Sequence, residues 1–86
     1  MPNYSIVFAR AARKELEKLP SAIVKRIFGK IEALAVEPRP SGCKKLKGTH
    51  DLWRLRVGDY RVIYSIFDDE VRIDIISIRH RRQAYD

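Results

Sequence analysis

The chain of 86 residues has little cysteine and no long apolar run, and both absences exclude classes of protein. Its one cysteine, Cys43, excludes an internal disulfide framework, and no Cys/His spacing is typical of a zinc site. The N-terminus lacks the apolar stretch of a signal peptide, and no run is long enough to span a bilayer. We therefore expect a cytoplasmic protein without a membrane partner.

Sequence motifs for nucleotide-dependent or triad-based catalysis are also missing. There is no P-loop, no glycine-rich dinucleotide fingerprint and no Ser/His/Asp order. The acidic residues Asp68, Asp69 and Glu70 are adjacent in one turn, where their side chains diverge. We expect them to solubilise that turn rather than to bind metal, so the sequence predicts neither a metal site nor a cofactor.

What the chain does contain is a large excess of basic residues. Its formal net charge is +7, with a pI near 9.9, while 45% of residues are hydrophobic and 34% charged. This composition is typical of a folded protein, and the length predicts one domain over residues 1–86. The charge will attract polyanions and acidic proteins.

The first half of the sequence predicts a strand followed by two helices. Residues 4–8 are β-branched or aromatic and favour a strand. Residues 11–19 and 21–37 carry apolar positions at helical spacing, with Ser21 as the predicted N-cap of the second helix. Because only Pro20-Ser21 separates the helices, we expect an antiparallel hairpin.

The second half predicts a loop over residues 38–51 and then strands over 52–57, 60–67 and 71–78. Gly58-Asp59 is a two-residue turn, and such short connections require antiparallel strands. The predicted fold is therefore α+β: an N-terminal strand and an antiparallel helical hairpin packed on one face of a mainly antiparallel four-stranded sheet. The other face is expected to stay open.

Strand alternation predicts that arginines gather on this open face. Trp53, Leu55 and Val57 share the apolar side of their strand, so Arg54 and Arg56 point the other way. Arg61 lies just beyond the turn, where the register places it beside Arg56 or Arg54. Three lysines precede this strand: Lys44, Lys45 and Lys47. Since arginine forks suit phosphate, the pattern favours nucleic-acid binding over a merely solvated face.

The C-terminal residues add side chains with further chemistry. Arg81 and Arg82 extend the basic surface, and Tyr85 could stack on a base or contact a ribose, although a terminal tyrosine more often packs on its own sheet. His80 is the best-matched proton carrier, because histidine titrates near neutral pH, but a solvated histidine is commoner. A nuclease built from these groups would be metal-free and would use the RNA's own 2′-hydroxyl as nucleophile.

Four segments in order resemble the RelE toxins of the RelE/ParE toxin–antitoxin superfamily. They are Lys45-Leu46-Lys47-Gly48, Leu52-Trp53-Arg54-Leu55-Arg56, the stretch from Gly58 to Tyr64, and the stretch from Ile78 to Tyr85. The resemblance covers essentially the whole chain. It implies a ribosome-dependent endoribonuclease that cleaves mRNA in the A site, contacts ribosomal RNA and is neutralised by a RelB-like antitoxin.

The resemblance also implies roles for individual residues. Arg61 would stabilise charge on the scissile phosphate, Arg81 would act on the leaving 5′-oxygen, and Tyr85 would orient the attacked nucleotide. Arg54 and Arg56 match two basic positions lining the site, and the remaining basic residues would bind RNA: Lys44, Lys45, Lys47 and Arg82.

One departure from the family pattern concerns the general base. The best-known members carry lysine at the positions of Arg54 and Arg56, and arginine cannot lose its proton in a protein. The base is then His80, Tyr85 or no dedicated group, and we favour catalysis by positioning and electrostatics, with His80 second. Two other functions stay open: a ParE-like gyrase inhibitor that acts by binding, and a non-catalytic RNA- or ribosome-binding module.

Overall fold

The computed structural model describes residues 3–46 and 52–80 of the chain. Their elements, in chain order, are β1 (Ser5–Phe8), α1 (Arg10–Glu17), α2 (Ser21–Val36), β2 (Lys44–Lys45), β3 (Leu52–Val57), β4 (Tyr60–Phe67), a single 3₁₀ turn (Asp68–Glu70) and β5 (Arg72–His80). The predicted α+β class is confirmed, and the bounds of β3 and β4 are those the sequence predicts.

The two helices form because apolar side chains recur every three or four residues. Ala12 and Leu16 of α1 are buried, as are Ile27, Ile31 and Leu34 of α2. The prediction that Ser21 caps α2 is wrong by one residue. Pro20 holds the cap position instead, and its carbonyl accepts the backbone N–H groups of Ile23 and Val24, each at 3.0 Å.

The strands form one five-stranded sheet in the order β1-β5-β4-β3-β2. β1 pairs with β5 in parallel, and the other pairings are antiparallel. The predicted count of four strands is wrong because β2 lies in the segment assigned to a loop. Its two residues are both lysines, so no apolar alternation reveals it.

Both helices cover the same face of the sheet, and the core lies between these layers. Sheet residues at alternate positions meet the helical apolar stripe there: Leu55, Val57, Val62, Tyr64, Ile66, Ile73, Ile75 and Ile78. Trp53 packs against this core from the β2 side. The opposite face, lined in part by Arg54, Arg56 and Arg61, is turned away from both helices, as predicted.

A β-bulge interrupts the pairing of β5 with β4. Tyr64 pairs with Ile75 while its neighbour Ile63 pairs with Ser77, so Ile76 is the extra residue. The bulge changes which side each later residue occupies. Ile78 returns to the core face, and Arg79 is directed to the open face.

The segment after α2, which contains Pro38 and Arg39, is bound to β4 and to the 3₁₀ turn after it by side-chain hydrogen bonds. The Arg39 guanidinium binds the Asp68 carboxylate, with Nη2 2.9 Å from Oδ2, and Tyr4 Oη donates to the same carboxylate at 2.7 Å. Arg39 and then Tyr4 hold the pKa of Asp68 below its usual value. Tyr64 Oη, fully buried, donates to the Pro38 carbonyl at 2.8 Å.

No helix within the described ranges is long and apolar enough to cross a membrane.

Candidate nucleic-acid interface

Three arginines from three neighbouring strands lie side by side on the open face. Arg61 of β4 is paired with Arg56 of β3 on one side and with Arg79 of β5 on the other. Side chains of directly paired residues emerge on the same face with their Cβ atoms about 5 Å apart. We call Arg56, Arg61 and Arg79 the arginine row.

A second pair of basic residues lies next to the arginine row, toward the β2 edge. Lys44 of β2 pairs with Arg54 of β3, and Arg54 is two residues from Arg56 on the same face. Two residues of a strand span about 6.8 Å, so the pair and the row form two adjacent lines of positive charge. Lys45 pairs with Trp53 instead, which places it on the helix-facing side.

The neighbouring arginines affect the pKa of Arg54. Arg54 is half-buried, with Nη1 shielded from solvent. Burial lowers the pKa of its guanidinium, and the neighbouring charges of Arg61 and Arg56 lower it further. Like charges held this close are stabilised by an anion placed between them, so the open face is suited to phosphate.

The turn between β3 and β4 holds the Arg56 side chain by a hydrogen bond. Gly58 has a φ of +60°, whereas Asp59 has a negative φ, which is the pattern of a type II′ turn. Arg56 Nε donates to the Gly58 carbonyl at 3.2 Å. This bond ties the guanidinium of Arg56 to the turn.

His80 is not brought together with the arginines. It pairs with Tyr60, which lies on the helix-facing side, and the two rings meet edge to face with centroids 5.2 Å apart. The sheet therefore separates His80 from the arginine row.

A carboxylate from α1 holds the end of β5. Glu15 Oε1 accepts the backbone N–H of Ile78 at 2.8 Å, and Glu15 Oε2 lies 3.1 Å from Arg79 Nε. β1 reaches only to Phe8, which pairs with Ile75, so α1 takes its place along the rest of this edge. Glu15 thereby satisfies a backbone donor that would otherwise face the strand-free edge.

Four predicted residues lie outside the described ranges: Lys47, Arg81, Arg82 and Tyr85. Their proposed roles stay predictions.

The sequence-based prediction missed two residues that the structure brings to the site, Arg79 and Glu15. The adjacent apolar residues Ile75-Ile76 break the strict alternation of β5 and signal the bulge that directs Arg79 outward. No comparable signal marks Glu15, because its partners are far away in sequence.

Within residues 3–46 and 52–80, no group of three or more His, Cys, Asp or Glu side chains is arranged to hold a metal ion. The acidic turn at residues 68–70 instead contributes to ion pairs with Arg39 and Arg72.

The sequence matches the family model described as the ParE toxin of the type II toxin–antitoxin system parDE, over residues 6–85. Two of the named relatives are RelE proteins. The putative toxin RelE1 of Methanocaldococcus jannaschii is 32% identical over 86 residues, covering 96% of each chain. The mRNA interferase toxin RelE of Escherichia coli is 31% identical, covering 95% of this chain and 90% of its own.

Solved structures give the same picture. The archaeal RelE–RelB complex of Pyrococcus horikoshii contains a chain that superposes with a TM-score of 0.83 at 36% identity, covering 95% of this chain and 99% of that one. The RelBE2 toxin–antitoxin complex of Mycobacterium tuberculosis contains a chain with a TM-score of 0.83 at 30% identity, covering 94% of both.

Proposed function

The chain belongs to the RelE/ParE superfamily of toxins from type II toxin–antitoxin systems, and from this premise we propose that it is an endoribonuclease that cleaves mRNA in the ribosomal A site. The observation that carries the proposal is the arginine row beside the Lys44–Arg54 pair. A relative that bears the name mRNA interferase supports the choice of RNA as substrate.

The proposed reaction is transesterification by the RNA itself. The 2′-oxygen attacks the adjacent phosphorus, the bond from phosphorus to the 5′-oxygen breaks, and the products are a 2′,3′-cyclic phosphate and a 5′-hydroxyl. The 2′-hydroxyl proton leaves to solvent or a base, and the 5′-oxygen gains a proton. Negative charge increases on the phosphoryl oxygens in the transition state, where a fixed cation has its largest effect.

Arg61 is the residue we assign to that charge, because it lies at the centre of the arginine row. Arg56 and Arg54 bind the flanking phosphates. Arg81 is proposed to serve the leaving 5′-oxygen and Tyr85 to orient the attacked nucleotide. Lys44, Lys47 and Arg82 are proposed to bind RNA as well, whereas Lys45, on the helix-facing side, is assigned no RNA contact.

No dedicated base is assigned to the reaction. Arg54 and Arg56 keep their protons, and His80 lies across the sheet from the arginine row. Catalysis therefore rests on orientation of the 2′-hydroxyl and on electrostatic stabilisation of the phosphorane-like charge. Single-turnover cleavage should show no inflection between pH 5 and 8, and a histidine-like inflection lost in His80→Gln would restore His80 as the base.

We further propose that a RelB-like antitoxin neutralises the protein. Two of the structural relatives are RelE–RelB or RelBE complexes. The net charge of +7 also favours an acidic partner segment over the basic face.

The proposal is tested by primer extension on an mRNA under translation, with purified ribosomes and the protein. We expect new 5′ ends inside codons, and a 2′-deoxy substitution 5′ to the cut should abolish them. Cleavage that persists at the deoxy position would contradict 2′-hydroxyl attack. Comparable cleavage of naked RNA would contradict dependence on the ribosome.

A second candidate is favoured by one observation, the match to a family model described as a ParE toxin. A ParE-like protein would inhibit DNA gyrase by binding and would cleave no RNA. A supercoiling assay with purified gyrase decides between them. Inhibition at equimolar protein, without new RNA ends, would favour gyrase, whereas binding to ribosomes without either activity would indicate a non-catalytic module.

A further inference from the structure

We propose that Glu15 is a positioning residue for the RNA-cleaving face, which deepens the proposed function and rests on it. Its carboxylate contacts Arg79 of the arginine row and is itself assigned no contact with RNA. It acts through β5, the strand that supplies Arg79 and leads directly into the segment containing Arg81 and Tyr85.

The geometry explains why one carboxylate can have this effect. Its two oxygens bind different parts of the same strand end: Oε1 takes the Ile78 N–H at 2.8 Å and Oε2 the Arg79 Nε at 3.1 Å. The Glu15 side chain is 26% exposed and its bond to Ile78 is partly shielded from water, whereas the Arg79 side chain is 49% exposed. A charge-assisted bond that is partly shielded from water is stronger than an exposed one.

Position along the edge makes these contacts necessary. β1 supports β5 as far as Ile75, and the Ala9 N–H bond to the Ile75 carbonyl at 2.9 Å ends that support. The bulge at Ile76 follows at once and weakens the ladder on the β4 side. The last residues of β5 therefore depend on α1 for their placement on one side.

The contact with Arg79 also sets the charge of the arginine row. Arg79 is bound at Nε by Glu15, whereas Arg61 stands between Arg79 and Arg56. Partial neutralisation of Arg79 lowers the repulsion on Arg61 and keeps Arg79 at the edge. Arg61, at the centre of the row, is the cation that we assign to a phosphate.

The test compares Glu15→Ala and Glu15→Gln with the wild type, using Glu17→Ala on the same helix as the matched control. Glutamine retains an oxygen that can accept the Ile78 N–H, but it lacks the charge that pairs with Arg79. We expect Glu15→Ala to lower kcat for cleavage of translated mRNA about tenfold or more. KM should change by less than about twofold, since ground-state contacts remain.

Glu15→Gln should recover part of the lost kcat through the Ile78 bond, with the remaining loss due to the missing charge at Arg79, and Glu17→Ala should behave as the wild type. Each rate is taken per folded molecule, below the thermal transition of every variant. A Glu15→Ala enzyme with wild-type kcat, or with a loss confined to KM, would overturn the positioning role.

Amide hydrogen exchange at Ile78 gives a readout that does not need catalysis. Exchange should be about tenfold or more faster in Glu15→Ala and close to wild type in Glu15→Gln. Unchanged exchange in Glu15→Ala would overturn the inference even if the wild type cleaves RNA. If the wild type cleaves no RNA, the proposed function falls and the positioning role with it, and faster exchange would then leave only a structural bond.

Discussion

The side chain with the most unusual surroundings on the open face is Arg61. It is flanked by Arg56 and Arg79 in adjacent strands, and its charge is felt by Arg54. Like charges directly opposite each other in a sheet destabilise the fold. Under the proposed function, a bound RNA phosphate would offset this repulsion.

Replacement of Arg61 by alanine should reduce the rate of cleavage far more than binding to ribosomes. Loss of one preorganised donor to transition-state charge lowers kcat by about 10²- to 10³-fold. Arg61→Lys should recover only part of the rate, because an ammonium group lacks the planar fork. Single-turnover kinetics on translated mRNA measure this effect.

Arg72→Ala is the matched control for the Arg61 variant. Arg72 is also a sheet arginine, but its guanidinium is bound to Glu70 at 2.6 Å and to Asp74 at 2.9 Å. Its removal should leave the cleavage rate unchanged. Equal losses in both variants would mean that Arg61 contributes only to general positive charge.

Tyr64 gives a prediction about stability and pH. Burial, with a smaller effect of Cys43, raises the pKa of its phenol far above the usual value near 10.0. The unfolded chain therefore loses this proton first, so the stabilisation is complete below pH 10 and declines as pH rises above it. Tyr64→Phe should flatten that decline in chemical denaturation between pH 9 and 11.

The same substitution should lower the free energy of unfolding at pH 7. Tyr64 Oη donates to the Pro38 carbonyl at 2.8 Å, and phenylalanine leaves that carbonyl without this donor. The expected loss is about 1–2 kcal/mol. A stability equal to wild type at pH 7 would show that water replaces the hydroxyl.

At the scale of elements, the β3–β4 hairpin supports the site through its turn. Gly58 has a φ of +60°, and a Cβ at this position would lie 3.5 Å from Arg26 Nη2, an ordinary contact. An alanine at position 58 would therefore fit sterically but would strain the backbone. We expect Gly58→Ala to destabilise the fold by about 1–3 kcal/mol.

Thermal unfolding measures the stability of the Gly58→Ala variant, and the cleavage rate of the remaining folded protein tests the turn's role in the site. Since Arg56 Nε is bound to the Gly58 carbonyl, we expect a lower rate as well. A variant that is less stable but fully active when folded would limit the turn to a structural role.

The sequence predicts β3 and β4 to the residue because their signals are local. Alternating side chains and Gly58-Asp59 define both strands and their connection. β2 escapes prediction because it is defined only by its pairing with β3, whereas the bulge in β5 has a local sign in Ile75-Ile76 that the prediction did not use. The reason given for β2 applies to Glu15, whose hydrogen-bond partner Ile78 is 63 residues away.

Some residues of the predicted site could likewise be placed from local sequence alone, and others could not. The facing of Arg54, Arg56 and Arg61 follows from alternation within single strands, and the structure confirms it. The separation of Lys45 and His80 from these arginines depends on strand pairing, which the sequence pattern leaves open.

At the scale of the whole molecule, the basic residues differ in how much they should contribute to RNA binding. Two cations away from the arginine row are paired with carboxylates: Arg39 binds Asp68, and Arg72 binds Glu70 and Asp74. Under the proposed function, binding to RNA should depend on the arginine row and on the Lys44–Arg54 pair, which lie together on one face, more than on the total charge of +7.

Salt dependence of binding to ribosomes or to single-stranded RNA tests this distribution. Each phosphate contact contributes a slope of about −0.7 in log K against log salt concentration. Lys44→Ala should reduce the slope by about one such contact, whereas Lys30→Ala on the exposed side of α2 should not change it. Equal changes in both variants would show that net charge alone governs binding.

The bulge at Ile76 also governs how this chain is compared with others. Successive side chains of a strand point to opposite faces of the sheet, so odd and even positions lie on different faces. In β5 this assignment changes at Ile76. A relative that lacks it would need a one-residue gap there, because an ungapped alignment would match the outward Arg79 with that relative's inward position. Loss of the one extra residue would therefore leave each later residue of β5 on the side that it now occupies.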